Sequence, residues 1–139
     1  MNRLLLTLTL AATAGWLLIA TPTAAQLLPA AKRAAHVEIT DGPSLESTKD
    51  DWAIIRWTST NPGGDDEHFG VVHFGTDPKN LNETAKSHIR LNRGHSYTVF
   101  RVYLDGLKPQ TTYYYKVDSM GANGTNDGVV APVKTFTTQ

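Results

Sequence analysis

The sequence predicts an all-β protein, a seven-stranded antiparallel sandwich, and three observations carry that prediction. Apolar and polar residues alternate in the period of a half-buried strand, most clearly from Val99 to Leu104 and from Tyr113 to Val117. Clusters of Gly, Pro, Asn and Asp break these runs roughly every ten residues, the spacing of a small sandwich. Outside the N-terminal apolar stretch, no segment has the period of an amphipathic helix.

The first 25 residues stand apart from the fold. Arg3 gives a positive start, Leu4 to Ala20 is apolar, and Thr23-Ala24-Ala25 places small residues before Gln26. This is the layout of a cleaved secretory signal peptide. The run is close to the ~20 residues that span a bilayer, but its threonines, Pro22 and the small residues at its end favour cleavage. A secreted, periplasmic or extracellular location is the expectation. Residues 26–35 read as a spacer kept wet by Lys32 and Arg33, and residues 36–139 as one domain. A chain of that size buries about two thirds of its unfolded surface, enough for one core.

Within the domain, His36 to Thr40 is the expected first strand, ending at Asp41-Gly42-Pro43, with a polar return through Asp51. Trp52 to Thr58 is the second, with Ala53, Ile55 and Trp57 on one face. His68 to Phe74 is the third, with Gly70, Val72 and Phe74 on one face and Phe69, Val71 and His73 on the other. Ala85 to Leu91 is a shorter fourth strand. The fifth and sixth carry Phe100, Val102, Leu104 and then Tyr113, Tyr115, Val117. The last runs from about Val130 to Thr138, with Pro132 marking an edge or a bulge.

The connection Leu107-x-Pro109-x-Thr111-x-Tyr113 resembles the tyrosine corner of fibronectin type III and related immunoglobulin-like sandwiches. Trp57, Leu107, Pro109 and Tyr113 are therefore the expected structural core. Further segments extend the resemblance to the N-terminal domain of purple acid phosphatases: ITDGP at Ile39, IIRWTST at Ile54, VVHFGTDPKNL at Val71, LDGLKPQTTYYYKV at Leu104 and FTT at Phe136. The resemblance implies a non-catalytic domain that accompanies a metallophosphatase domain. None of the metal-binding segments of that catalytic domain (Asp-x-Gly, Gly-Asp-x-x-Tyr, Gly-Asn-His) occurs in the sequence, so no catalytic residue carries over.

Composition narrows the function by exclusion. Thirteen Lys plus Arg balance thirteen Asp plus Glu, so no net field draws in nucleic acid or an anionic membrane. The absence of Cys removes disulfides and thiolate chemistry. The five histidines, His36, His68, His73, His88 and His95, show no ligand spacing and read as exposed on strand faces and loop ends. Asp65, Asp66 and Glu67 are expected at the same end as Asn123, Asn126 and Asp127. That set of oxygens suits either a hard cation or two solvated turns. No nucleophile elbow is present. Asn82-Glu83-Thr84 and Asn123-Gly124-Thr125 match the glycosylation triplet, but short polar loops generate it freely. No cofactor, metal or enzymatic activity is expected.

One surface stands out. Phe69, Val71 and His73 point away from the core in the register above, with Tyr114 nearby, where a wet strand face should read polar. Either a neighbouring loop covers them, or the register is slipped by one residue, or the row is a contact face. The functional expectation is a secreted binding or scaffolding module acting on a protein or a glycan. The alternative is an accessory domain that docks in trans to a separate metallophosphatase.

Overall fold

The computed structural model describes residues 29–34 and 37–139. The expected signal segment lies outside them. Seven strands follow in order: β1 (Ile39–Thr48), β2 (Ala53–Thr60), β3 (Glu67–Gly75), β4 (Glu83–Arg90), β5 (Tyr97–Leu104), β6 (Thr112–Gly121) and β7 (Lys134–Thr137). They form a three-stranded sheet, β1-β2-β5, and a four-stranded sheet, β4-β3-β6-β7, with every pairing antiparallel.

The core lies between the sheets and is built from alternate residues of each central strand. Ala53, Ile55 and Trp57 of β2 meet Phe100, Val102 and Leu104 of β5 in one layer. Val72, Phe74, Tyr113, Tyr115, Val117 and Phe136 supply the other. Trp57 sits directly opposite Phe100, and their rings stack at 5.0 Å and 9°. Across the interface β3 carries Gly70 at an inward position. A Cβ there would lie 2.9 Å from Phe100 Cδ1 and 3.1 Å from the Trp57 ring. The glycine is the hollow into which the ring stack fits.

The corner before β6 closes the sandwich. The Lys108 N–H donates to the Tyr113 hydroxyl at 3.0 Å. The Thr138 hydroxyl donates to the Lys108 carbonyl at 2.5 Å and accepts from the Thr111 N–H at 2.9 Å. The side chains of Tyr113 and Thr138 thus satisfy the backbone of one tight turn.

Four expectations need correction. The first strand does not stop at Asp41-Gly42-Pro43 but runs through it, with register shifts on either side and Pro43 buried. Gly42 has φ +83°, and a Cβ there would lie 2.8 Å from the Arg56 carbonyl oxygen. Its turn chemistry serves a bulge within the strand, not an end to it. The last strand is only Lys134–Thr137, because Pro132 falls in the irregular segment before it. Pro109 is exposed at the tip of the corner, where its carbonyl accepts from the Thr111 hydroxyl at 2.8 Å; it shapes the turn rather than filling the core. Residues 29–34, read as a wet spacer, lie against the domain. Ala31 is buried, Lys32 N–H donates to the His95 carbonyl, and Arg33 donates to the Pro62 carbonyl and the Asp66 carboxylate.

Candidate functional site

The alternation of β3 that sends Gly70, Val72 and Phe74 inward places Phe69, Val71 and His73 on the outer face of the four-stranded sheet. Phe69 stands between His88 of β4 and Met120 of β6, Val71 between Lys86 and Asp118, and His73 between Thr84 and Lys116. Tyr114 lies one step further along, opposite Gly75. The four form a strip down the middle of the sheet, about 20 Å long at strand spacing. The strip is not bare. Val71 has no exposed surface, while Phe69, His73 and Tyr114 are half-buried. Its cover comes from within the same face: the His88 ring meets Phe69 edge-on at 5.4 Å. Glu67 holds His88 at 2.5 Å and Arg90 at 3.0 Å. The result is an apolar line with a rim of mixed charge, Lys86, Arg90 and Lys116 alternating with Glu67 and Asp118.

The loops at the β2–β3 end do meet those at the β6–β7 end, but a histidine joins them. His68 lies 1% exposed, on the inward side of β3. Its Nδ1 is 2.9 Å from Asp127 Oδ2, and its Nε2 is 2.9 Å from the Asp65 carbonyl oxygen. Both partners are acceptors, so a ring with one proton can satisfy only one of them. The expectation that all the histidines are exposed fails here: both ring nitrogens lie within hydrogen-bond distance of a polar atom, which offsets part of the cost of burying the imidazole. Beside it opens a cleft of about 390 Å³ that includes Gly63, Gly64 and Asn123. Most of the side chains in that oxygen set have partners of their own, Asn123 Oδ1 accepting from the Thr125 N–H and Asn126 Oδ1 from the Gly128 N–H. Asp66 pairs with Arg33 and Arg93, Glu67 with His88 and Arg90, Asp127 with His68, and Asn126 donates to Asp118. Among the described residues no group of three or more His, Cys, Asp or Glu is placed to hold a metal ion.

The outer face of the three-stranded sheet was not singled out by the sequence. Arg56 and Arg101 lie directly opposite each other on β2 and β5, a costly pair of like charges. Each is held by its own carboxylate: Asp41 reaches Arg56 at 2.7 Å and Glu46 reaches Arg101 at 2.7 Å. Glu46 falls at a register shift of β1, and such a bulge re-aims a side chain. The Arg101 hydrogen bond holds the Glu46 carboxyl below its usual range. Next to them Trp52 stacks on Tyr103 at 5.6 Å. Partial desolvation, then Asp105 and Asp51, push the Tyr103 phenol up. Both tyrosines of this face are open, Tyr97 44% and Tyr103 50% exposed. Only strand order could have revealed this face, since β5, which pairs with β2, is not its neighbour in the chain.

A 3+4 antiparallel sandwich closed by a tyrosine corner is an immunoglobulin-like domain of the fibronectin type III kind. The chain belongs to the family of the purple acid phosphatase N-terminal domain, which it matches over residues 40–138. It is 37% identical over 77 residues to an acid phosphatase of Aspergillus ficuum, an alignment covering 47% of this chain and 12% of that protein. The chain therefore spans a small part of that relative's length. Among solved structures it is similar to the sensor domain of the anti-sigma factor RsgI4 of Pseudobacteroides cellulosolvens. A longer version of that domain gives a TM-score of 0.48 at 18% identity, covering 74% of this chain and 87% of that one. A shorter version gives 0.48 at 20% identity, covering 73% and 93%.

Proposed function

We propose that this chain is a secreted, non-catalytic binding module that recognises a protein through the outer face of its four-stranded sheet. The observation that carries the reading is the strip of Phe69, Val71, His73 and Tyr114 inside a charged rim. Apolar centre and polar rim are the anatomy of a protein interface. Burying a Phe or Tyr against a partner stabilises by roughly 1.5–3 kcal/mol per side chain. Phe69 and Tyr114 are already half-buried, so two such anchors nucleate the contact, and the rest of a stable interface must come from the surrounding rim. The mixed-charge rim favours a protein surface carrying charges of both signs over a neutral glycan.

The family match favours a second reading, in which the partner is a metallophosphatase domain on another chain and this module docks to it. In both readings the module itself hydrolyses no phosphate ester.

The test is a pull-down from the native secretome with wild type and with Phe69→Ser/Tyr114→Ser. Both side chains point away from the core, so the double variant is expected to fold and to lose the captured protein. Capture that survives the double substitution refutes the reading. Recovery of a phosphatase in the wild-type fraction selects the second one.

A further inference from the structure

The charges of the contact strip are unevenly spent along its length. At the Phe69 end Glu67 holds His88 at 2.5 Å and Arg90 at 3.0 Å, so that end carries its own counter-charges. Towards the other end Lys86 on β4 is paired with Val71, and Lys116 on β6 with His73. Both lysines are exposed, and among the described residues neither forms an ion pair. The nearest carboxylate in register, Asp118 opposite Val71, is engaged: Oδ1 accepts from the Ser119 N–H at 2.7 Å and Oδ2 from Asn126 Nδ2. Glu83 is opposite Phe74, a core residue, and so lies off the strip.

The two free cations flank one imidazole. Lys116 faces His73 directly, with Cα atoms about 5 Å apart, and Lys86 is its diagonal neighbour on the other side, about 7–8 Å away. Their four-carbon stems are long enough to bring both ammonium groups over the ring. His73 is half-buried; its Nδ1 lies 3.3 Å from Thr84 Oγ1, and its Nε2 has no partner among the described residues. Two point charges and an open ring nitrogen suit an anion. Phosphate recognition calls on free backbone amides or an arginine fork. Here β3 is laddered to strands on both sides, and Arg90 is already held by Glu67. A single carboxylate needs neither device.

We infer that the His73 end of the strip seats an Asp or Glu side chain of the partner protein, with Lys86 and Lys116 as its counter-charges. The inference rests on the strip being a protein contact face, and it adds which way round the partner lies. The partner's acidic residue sits over His73 and its apolar residues over Phe69. Charges at an exposed rim set register and encounter rate more than affinity, so this pair orients the partner while the apolar line holds it.

The experiment is an amide NMR titration of the purified protein with hexaglutamate at low salt, with hexalysine and inorganic phosphate as parallel probes. The expected result is that hexaglutamate alone shifts His73, Lys86, Lys116 and their strand neighbours, and that about 0.5 M salt reverses the shifts. Lys86→Ala/Lys116→Ala, which removes two exposed and unpaired side chains, is expected to weaken this binding about tenfold. Lys86→Glu/Lys116→Glu is expected to respond to hexalysine instead, and to lose the protein captured in the pull-down. Four results overturn the inference: shifts spread evenly over the other lysines, shifts that survive Lys86→Ala/Lys116→Ala, phosphate binding there in place of hexaglutamate, or capture indifferent to the charge reversal. The titration needs no partner, so the two readings fail separately. Capture lost with Phe69→Ser/Tyr114→Ser but no hexaglutamate shift in wild type upholds the contact face and removes the carboxylate seat.

Discussion

Gly70→Ala probes the packing at the centre of the sandwich with a single methyl group. The added Cβ would meet Phe100 Cδ1 at 2.9 Å, Trp57 Cη2 at 3.1 Å and Val102 Cγ2 at 3.2 Å, all side-chain atoms of the opposing sheet. None can retreat freely, because Trp57, Phe100 and Val102 are fully buried and the two rings are stacked. Overpacking of this kind costs about 1–3 kcal/mol. Replacing glycine returns about 0.4–1 kcal/mol through the unfolded chain. The net expectation is a loss of about 1–2 kcal/mol, which lowers the melting temperature by roughly 4–8 °C per kcal/mol in a domain of this size. Urea titration measures it, with an unchanged slope showing that the unfolded state is the same. In a Phe100→Leu background the penalty should shrink, a non-additivity expected of residues in contact. A Gly70→Ala protein as stable as wild type would mean that the rings do not press on β3, and the core assignment would fall with it.

Three further outcomes follow from the same packing. Tyr113→Phe strips the acceptor from the Lys108 N–H and should cost about 1–3 kcal/mol by denaturant titration, with the fold retained. Ser119 is 1% exposed and its hydroxyl has no partner among the described residues, so Ser119→Ala should be neutral or stabilising in the same assay. Burial pushes the Tyr115 phenol above its usual 10.0. A raised acid contributes stability that is intact below the unfolded value and lost as pH rises through the folded one. Stability should therefore decline from about pH 10 upward, and Tyr115→Phe should flatten that decline in denaturation curves taken across the range.

The sequence made the central elements legible for a physical reason: each announces itself locally. Trp57 and its neighbours alternate without interruption, and Tyr113 follows Leu107 and Pro109 at the spacing of a corner. The outward row on β3 was legible by the same alternation. The extent of β1 was not, because Gly42-Pro43 has the same composition whether it ends a strand or bulges one. His68 carries a local signal of burial but none of its partner. It shares the parity of Gly70, Val72 and Phe74 and so belongs on the core side, but its carboxylate partner, Asp127, is 59 positions away. The pairing within the end loops was hidden for a related reason. Proximity of loops could be inferred from topology, whereas the pairing of Asp66 and Glu67 with Arg33, Arg93, His88 and Arg90 depends on which side chains converge in space.

Hydrogen–deuterium exchange of the wild-type protein, free and bound to the partner recovered by pull-down, tests the contact face most directly. The account predicts that slowed exchange on binding is concentrated in β3 and β6, over residues 69–73 and 114–118, while the end loops around His68 and the β1–β2 turn are unchanged. Protection confined to the end loops or to the three-stranded sheet would contradict it.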